Sequence, residues 1–233
     1  MKIDTLLKNS NIGSPSLERN SLKVQSTDLL RALIIGGQIP LGTRVVEQDL
    51  ADSLGISRMP VRDALIELEH EGLVESRTNG RYVIELNDND IQKLFQVRLV
   101  LERLAVERAV LHRTPEDDRR LRDSLQRLER AIESDDRDSY AKSDLEAHQL
   151  IWQQAQNPYL LKMLNSIIGP IFMFMGSQTD FQYNWEETLQ MHRELTEAIC
   201  DRDVDRAVCS MDAQLQYSLE LTLCAYEHAQ QTS

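Results

Sequence analysis

Two groups of side chains in this 233-residue chain have the types and spacing that chemistry needs. The first lies in Leu50-Ala51-Asp52-Ser53-Leu54-Gly55-Ile56-Ser57-Arg58-Met59-Pro60-Val61-Arg62-Asp63-Ala64-Leu65. There, Val61, Ala64, Leu65 and Leu68 form an apolar helix face and leave Arg58, Met59 and Arg62 pointing outward at the helix start. A guanidinium pairs bidentately with guanine O6/N7 or grips phosphate, so this end of the helix suits the major groove of DNA. The second group is Asp144 and His148, four residues apart and therefore on one face of a helix. A carboxylate beside an imidazole can ligate a divalent metal, hydrogen-bond an organic molecule, or form a plain ion pair.

The elements that must position these groups follow from local signals. Leu50, Ala51 and Leu54 give a short first helix its inner face, Gly55 permits the turn, and Ser57 is read as the N-cap of the second helix with Pro60 in its first turn. Leu73–Arg77 and Arg81–Ile84 read as two strands joined at Thr78-Asn79-Gly80, which forms the wing. Upstream, Leu22 to Gly36 is an amphipathic helix offering Val24, Leu29, Leu30, Leu33 and Ile34 to the core, and Ile39-Pro40-Leu41-Gly42 is a turn. After Asn87 the pattern is helical throughout. Helices are expected over 88–112, 115–134, 136–156, 158–178, 185–202 and 204–229, with Ile91, Leu94, Val97, Leu101 and Leu104 on the inner side of the first. Thr114-Pro115-Glu116-Asp117 combines an N-cap, a Pro at the first position and first-turn acids. The fold class expected is mainly α: an N-terminal winged helix-turn-helix followed by an all-α six-helix bundle. The domains read as a flexible arm over 1–20, the winged helix over 21–86, and a helical ligand-binding and dimerisation domain over 87–230.

A net charge of −12 sits oddly with DNA binding until its distribution is read. Residues 1–86 carry 10 Lys/Arg against 12 Asp/Glu, and residues 87–233 carry 16 against 26, so the acidity lies in the second part. Arg44, Arg58, Arg62, Arg77 and Arg81 gather around the reading helix and wing, which supplies the local basic face that phosphate contact needs. No apolar stretch approaches the roughly 18 residues of a membrane span, and the N-terminus lacks a secretory apolar region. A cytoplasmic location without membrane contact is expected. Cys200, Cys209 and Cys224 are odd in number and without CxxC spacing, which points to a reducing compartment and core packing.

From Ile34 to Val83 the chain resembles the GntR family of bacterial transcription regulators. Gly37, Pro40-x-Gly42, Leu50-Ala51, Leu54-Gly55, Ser57-Arg58, Pro60-Val61-Arg62, Ala64-Leu65, Leu68-Glu69 and Glu71-Gly72-Leu73-Val74 fit its pattern. The helical part resembles the effector (FCD) domain of the FadR subfamily, its six helices being more similar to the VanR-type branch. The resemblance implies a homodimeric, ligand-responsive regulator, most often a repressor, that binds a palindromic double-stranded operator. It assigns Arg44, Gln48, Ser57, Arg58, Met59, Arg62, Thr78, Gly80 and Arg81 to the DNA. Met59 replaces the small hydroxyl residue usual in the family, and Asn79 stands where the wing often has Arg, with Arg81 as a substitute.

The same resemblance implies that Asp144, His148 and His192 hold a divalent metal such as zinc or nickel. The fourth ligand, a His on the last helix, is Gln214 here, and an amide is the weaker donor, so metal binding should be weakened. A direct organic ligand using Gln214, or a bare Asp–His pair, are the other readings. Arg98 corresponds to a pocket-facing Arg suited to a small carboxylate effector, against the alternative of a salt bridge to Glu102. The chain is expected not to be an enzyme. Its rivals are a regulator with a vestigial pocket, or a metal-dependent enzyme on the Asp144/His148/His192 cluster.

Overall fold

The computed structural model describes residues 22–177 and 184–232; the expected arm over 1–20 lies outside them. They divide into two compact units, one built from residues 22–86 together with Gly169–Ser177, the other from Asn87–Ile168 and residues 184–232.

In the first unit α1 (Leu22–Ile35), β1 (Arg44–Val45), α2 (Glu47–Leu54), α3 (Arg58–His70), β2 (Val74–Arg77) and β3 (Gly80–Val83) follow in order. The strands form one antiparallel sheet ordered β1-β3-β2. The two-residue β1 was not expected, since Arg44-Val45 is too short to show alternation; it pairs Arg44 with Tyr82 and Val45 with Arg81. Gly55 ends α2 at φ +66°, the left-handed geometry the turn requires. Leu50, Ala51, Val61, Ala64, Leu65 and Leu68 are buried with Leu30, Leu33 and Ile34 in one core. Val24 is instead half exposed, because α1 turns Ser26 and Thr27 inward. The wing differs by one residue from expectation: Arg77 faces Gly80 across the pair, so Thr78-Asn79 is the loop and Gly80, at φ +142°, opens β3.

The remaining helices are α4 (Asp88–His112), α5 (Pro115–Glu133), α6 (Arg137–Gln154), α7 (Pro158–Ser177), α8 (Trp185–Cys200) and α9 (Val204–Thr232). Capping boxes start two of them: Asn87 with Asp90 at α4, and Thr114 with Asp117 ahead of Pro115 at α5. The inner face of α4 is not the one expected. Ile91, Phe95, Arg98, Glu102, Ala105, Val106 and Ala109 are buried, while Val97 and Leu104 are exposed. The apolar count misassigned the face because Arg98 and Glu102 enter the core as a mutually neutralising pair.

Two composition-based expectations are corrected. Pro158–Met175 of α7 is long and apolar enough to cross a membrane by length and composition. Of that window 39% is buried, including Leu160, Leu164, Ile168, Ile171, Met173 and Phe174, while Tyr159 and Met163 are exposed. Cys209 and Cys224 are exposed rather than packed in the core, and all three cysteines are free thiols.

Within the first unit, Met173 joins the winged-helix core. Gly169 lets α7 approach closely: a Cβ there would lie 2.9 Å from the Glu71 carbonyl oxygen and 3.1 Å from Leu73.

Candidate functional site

The reading surface forms around the N-terminus of α3. Met59 is 72% exposed, and Arg58 and Arg62 lie half exposed beside it. Ser57 occupies the N-cap position, but its hydroxyl makes no capping hydrogen bond, contrary to expectation. Thr78 and Asn79 are exposed at the wing tip. Gly80 leaves room for Arg44, whose Nε would lie 2.8 Å from any Cβ there. Gln48 is exposed and donates to Asp52 at 2.7 Å.

Sequence reasoning missed Glu47, which organises this surface. Arg62 Nε and Nη2 donate to its carboxylate at 3.1 and 3.0 Å, Arg81 Nη1 at 2.8 Å, and Arg58 Nη2 at 3.4 Å. The hydrogen bond from Arg62 lowers the Glu47 pKa against the opposing effect of burial. As the first residue of α2, Glu47 reads in sequence as an ordinary helix-dipole acid. Nothing local announces partners 11, 15 and 34 residues away. One carboxylate thus gathers reading-helix and wing arginines and holds their guanidiniums at a common place.

The second site lies among α4, α6, α8 and α9. Asp144, His148 and His192 offer ligand atoms all within 4.8 Å of one another. His192 Nε2 is 2.6 Å from Asp144 Oδ1, and His148 Nε2 is 3.9 Å from the same oxygen. Burial raises the Asp144 pKa, but the His192 hydrogen bond and the neighbouring charges outweigh it, so the carboxyl stays ionised below its ordinary range. Gln214 is buried with them, its side-chain amide 2.8 Å from His192 Nε2. Because His192 Nε2 donates to the ionised Asp144, the Gln214 amide turns its oxygen rather than its NH2 toward that nitrogen, at the position of the fourth ligand.

Arg98 reaches this cluster and is only 2% exposed. Its Nε donates to Glu102 Oε1 at 2.8 Å, the salt bridge that was the alternative reading, while its Nη2 lies 3.4 Å from His148 Nε2. Arg98 therefore does both: one edge is bonded to Glu102 and the other faces the candidate ligands. Glu102, fully buried, also accepts from Trp152 Nε1 at 2.8 Å and meets His148 Nδ1 at 3.2 Å.

A winged helix with outward arginines, joined to a helical unit holding a buried polar cluster, is the build of a DNA-binding regulator with a sensing domain. Residues 22–84 match the model of the bacterial regulatory proteins of the gntR family, and residues 93–217 match the FCD domain. The chain belongs to the gntR family of bacterial transcription regulators, in the group that carries an FCD domain, and is a regulator rather than an enzyme. It is 29% identical over 189 residues to a probable D-xylose utilization operon transcriptional repressor of Paenarthrobacter nicotinovorans, covering 80% of this chain and 82% of that one. It is 28% identical over 200 residues to the gluconate operon transcriptional repressor of Bacillus licheniformis, covering 84% and 82%. Among solved structures, E. coli McbR/YncC shares the fold with a TM-score of 0.75 at 23% identity, covering 88% of this chain and 99% of that one.

Proposed function

We propose that the chain is a repressor that binds a palindromic operator as a homodimer, in the cytoplasm, and is released by a small carboxylate held in the helical unit. The observation that carries the DNA reading is the gathering of Arg58 and Arg62 at the start of α3 and Arg81 of the wing about Glu47, with the exposed Met59 beside the first two. Arg58 and Arg62 reach base edges or phosphates, and Met59 offers an apolar contact such as a thymine methyl. Ser57, whose hydroxyl is not used as a cap, stands with the first-turn N–H groups of α3 as a phosphate seat. Arg44 on β1, Gln48 on α2, and Thr78 and Gly80 at the wing are assigned to the DNA as well.

In the helical unit, Asp144, His148 and His192 are assigned to a divalent metal, zinc or nickel. One carboxylate, two imidazoles and the Gln214 amide oxygen form a donor set of the right number and mixed hardness. Bound there, the metal supplies a positive anchor for an effector carboxylate. Arg98 contributes the directional half of that recognition through the edge that faces the cluster, and Gln214 a neutral hydrogen-bonding group. Two relatives are repressors of a gluconate operon and of a D-xylose utilization operon, and gluconate is itself a hydroxy carboxylate.

The dimer reading is supported by α4. Val97, Val100, Leu104 and Leu111 are all exposed, and at 3.6 residues per turn they fall within about 60° of arc. Such a strip is suited to a second copy of the chain.

The test is operator binding, using duplexes selected from a random pool by the unaltered protein. Arg58→Ala and Arg62→Ala should each weaken binding about 5- to 150-fold, the equivalent of 1–3 kcal/mol. Unchanged binding by both variants overturns the assignment.

A further inference from the structure

Glu102 has no place in the ligand set, yet it is fully buried and bonded on both carboxylate oxygens. Three donors from two helices converge on it: Arg98 Nε on Oε1, and Trp152 Nε1 and His148 Nδ1 on Oε2. We propose that Glu102 is a positioning residue that holds His148 in its neutral Nδ1–H tautomer, with the Nε2 lone pair aimed at the cluster with Asp144 and His192. This rests on the metal reading above only for its consequence, not for its geometry.

The argument is one of donor and acceptor identity. An ionised carboxylate only accepts, so the His148 nitrogen facing Glu102 must carry the proton. A guanidinium only donates, so the other nitrogen, at the longer 3.4 Å from Arg98 Nη2, faces it with a lone pair. The contact to the charged Glu102 carboxylate at 3.2 Å sets the tautomer, and the one to Arg98 agrees with it without enforcing it. They also close a ring: Arg98 Nε to Glu102, His148 Nδ1 to Glu102, and Arg98 Nη2 to His148 Nε2. Trp152 fixes the carboxylate plane from outside, four residues along α6 from His148. A ligating imidazole is oriented in just this way when its second nitrogen donates to a carboxylate.

The experiment is long-range proton–nitrogen NMR on metal-stripped full-length protein labelled at histidine, with His148 assigned by a His148→Gln spectrum. The unaltered protein should show His148 as the Nδ1–H tautomer. Glu102→Gln, which can donate as well as accept, should give a mixture. Zinc affinity measured by competition with a chromophoric chelator should fall about 10–100-fold in that variant, with Asp144 and His192 intact. Trp152→Phe keeps the carboxylate and is a second variant should Glu102→Gln fail to fold; it should preserve the tautomer. An Nε2–H tautomer in the unaltered protein, or an unchanged tautomer in a folded Glu102→Gln variant, overturns the proposal. Absence of zinc binding by the unaltered protein would instead sink the metal reading, and the tautomer still decides the role of Glu102.

Discussion

Replacing Val100 by Asp puts the dimer reading at risk most directly. Val100 is 65% exposed in the single chain, with Val97 at 47%, Leu104 at 41% and Leu111 at 67% beside it on the same strip of α4. Fully burying a Val or Leu side chain stabilises by about 1.5–3 kcal/mol, so covering the exposed two thirds of Val100 contributes about 1–2 kcal/mol. A twofold interface counts every residue twice, which makes the loss about 2–4 kcal/mol before any cost of burying the two new carboxylates. That corresponds to a dimer dissociation constant raised about 30- to 1,000-fold. Sedimentation velocity over a range of concentrations reads it directly, with far-UV circular dichroism showing that the helices remain, as expected for a side chain already in solvent. Operator binding should weaken in parallel, since each monomer reads only a half-site. An unchanged dissociation constant in both Val100→Asp and Leu111→Asp refutes the reasoning, whatever the oligomeric state proves to be.

Two further outcomes are expected. Glu47→Gln releases Arg58, Arg62 and Arg81 from their shared carboxylate. Fluorescence anisotropy should show stronger binding to random duplex, a logarithmic salt slope steeper by about 0.9, and a smaller ratio of operator to random affinity; an unchanged slope contradicts the clasp. Gln214→His supplies a third imidazole as the fourth ligand in place of an amide, and should tighten zinc binding by about tenfold or more. Equal metal affinity in the two proteins would show that Gln214 does not weaken the site.

The reading head was legible in the sequence because its information is local. Gly55, Pro60 and the Val61/Ala64/Leu65/Leu68 face each specify geometry within a few residues, and the structure places all of them as expected. Glu47 was invisible for the opposite reason: its partners are distant in the chain, and an acid in a first helical turn has an ordinary explanation. The α4 face failed on a different rule. Apolar periodicity cannot foresee that Arg98 and Glu102 neutralise each other and go inside, which releases Val97, Val100 and Leu104 to solvent. At the second site Asp144 and His148 were found from their spacing, and His192 and Gln214 only through family resemblance. Glu102 appeared in the sequence merely as the other end of a possible salt bridge. Its hydrogen bonds to His148 and Trp152 cross between helices 46 and 50 residues apart.

The place of Met173 and Gly169 in the first unit bears on how the protein is made. A reading head that ended at Leu86 would leave the ribosome early and fold as a finished module. This one has part of its core on the second half of α7, roughly 90 residues downstream. At about 5–20 residues per second, synthesis of that stretch takes roughly 5–18 s, during which the winged helix exists with its core incomplete. The core of the head is therefore completed only after most of the sensing unit has been translated, and a fragment cut at residue 86 lacks Met173 and the close approach at Gly169.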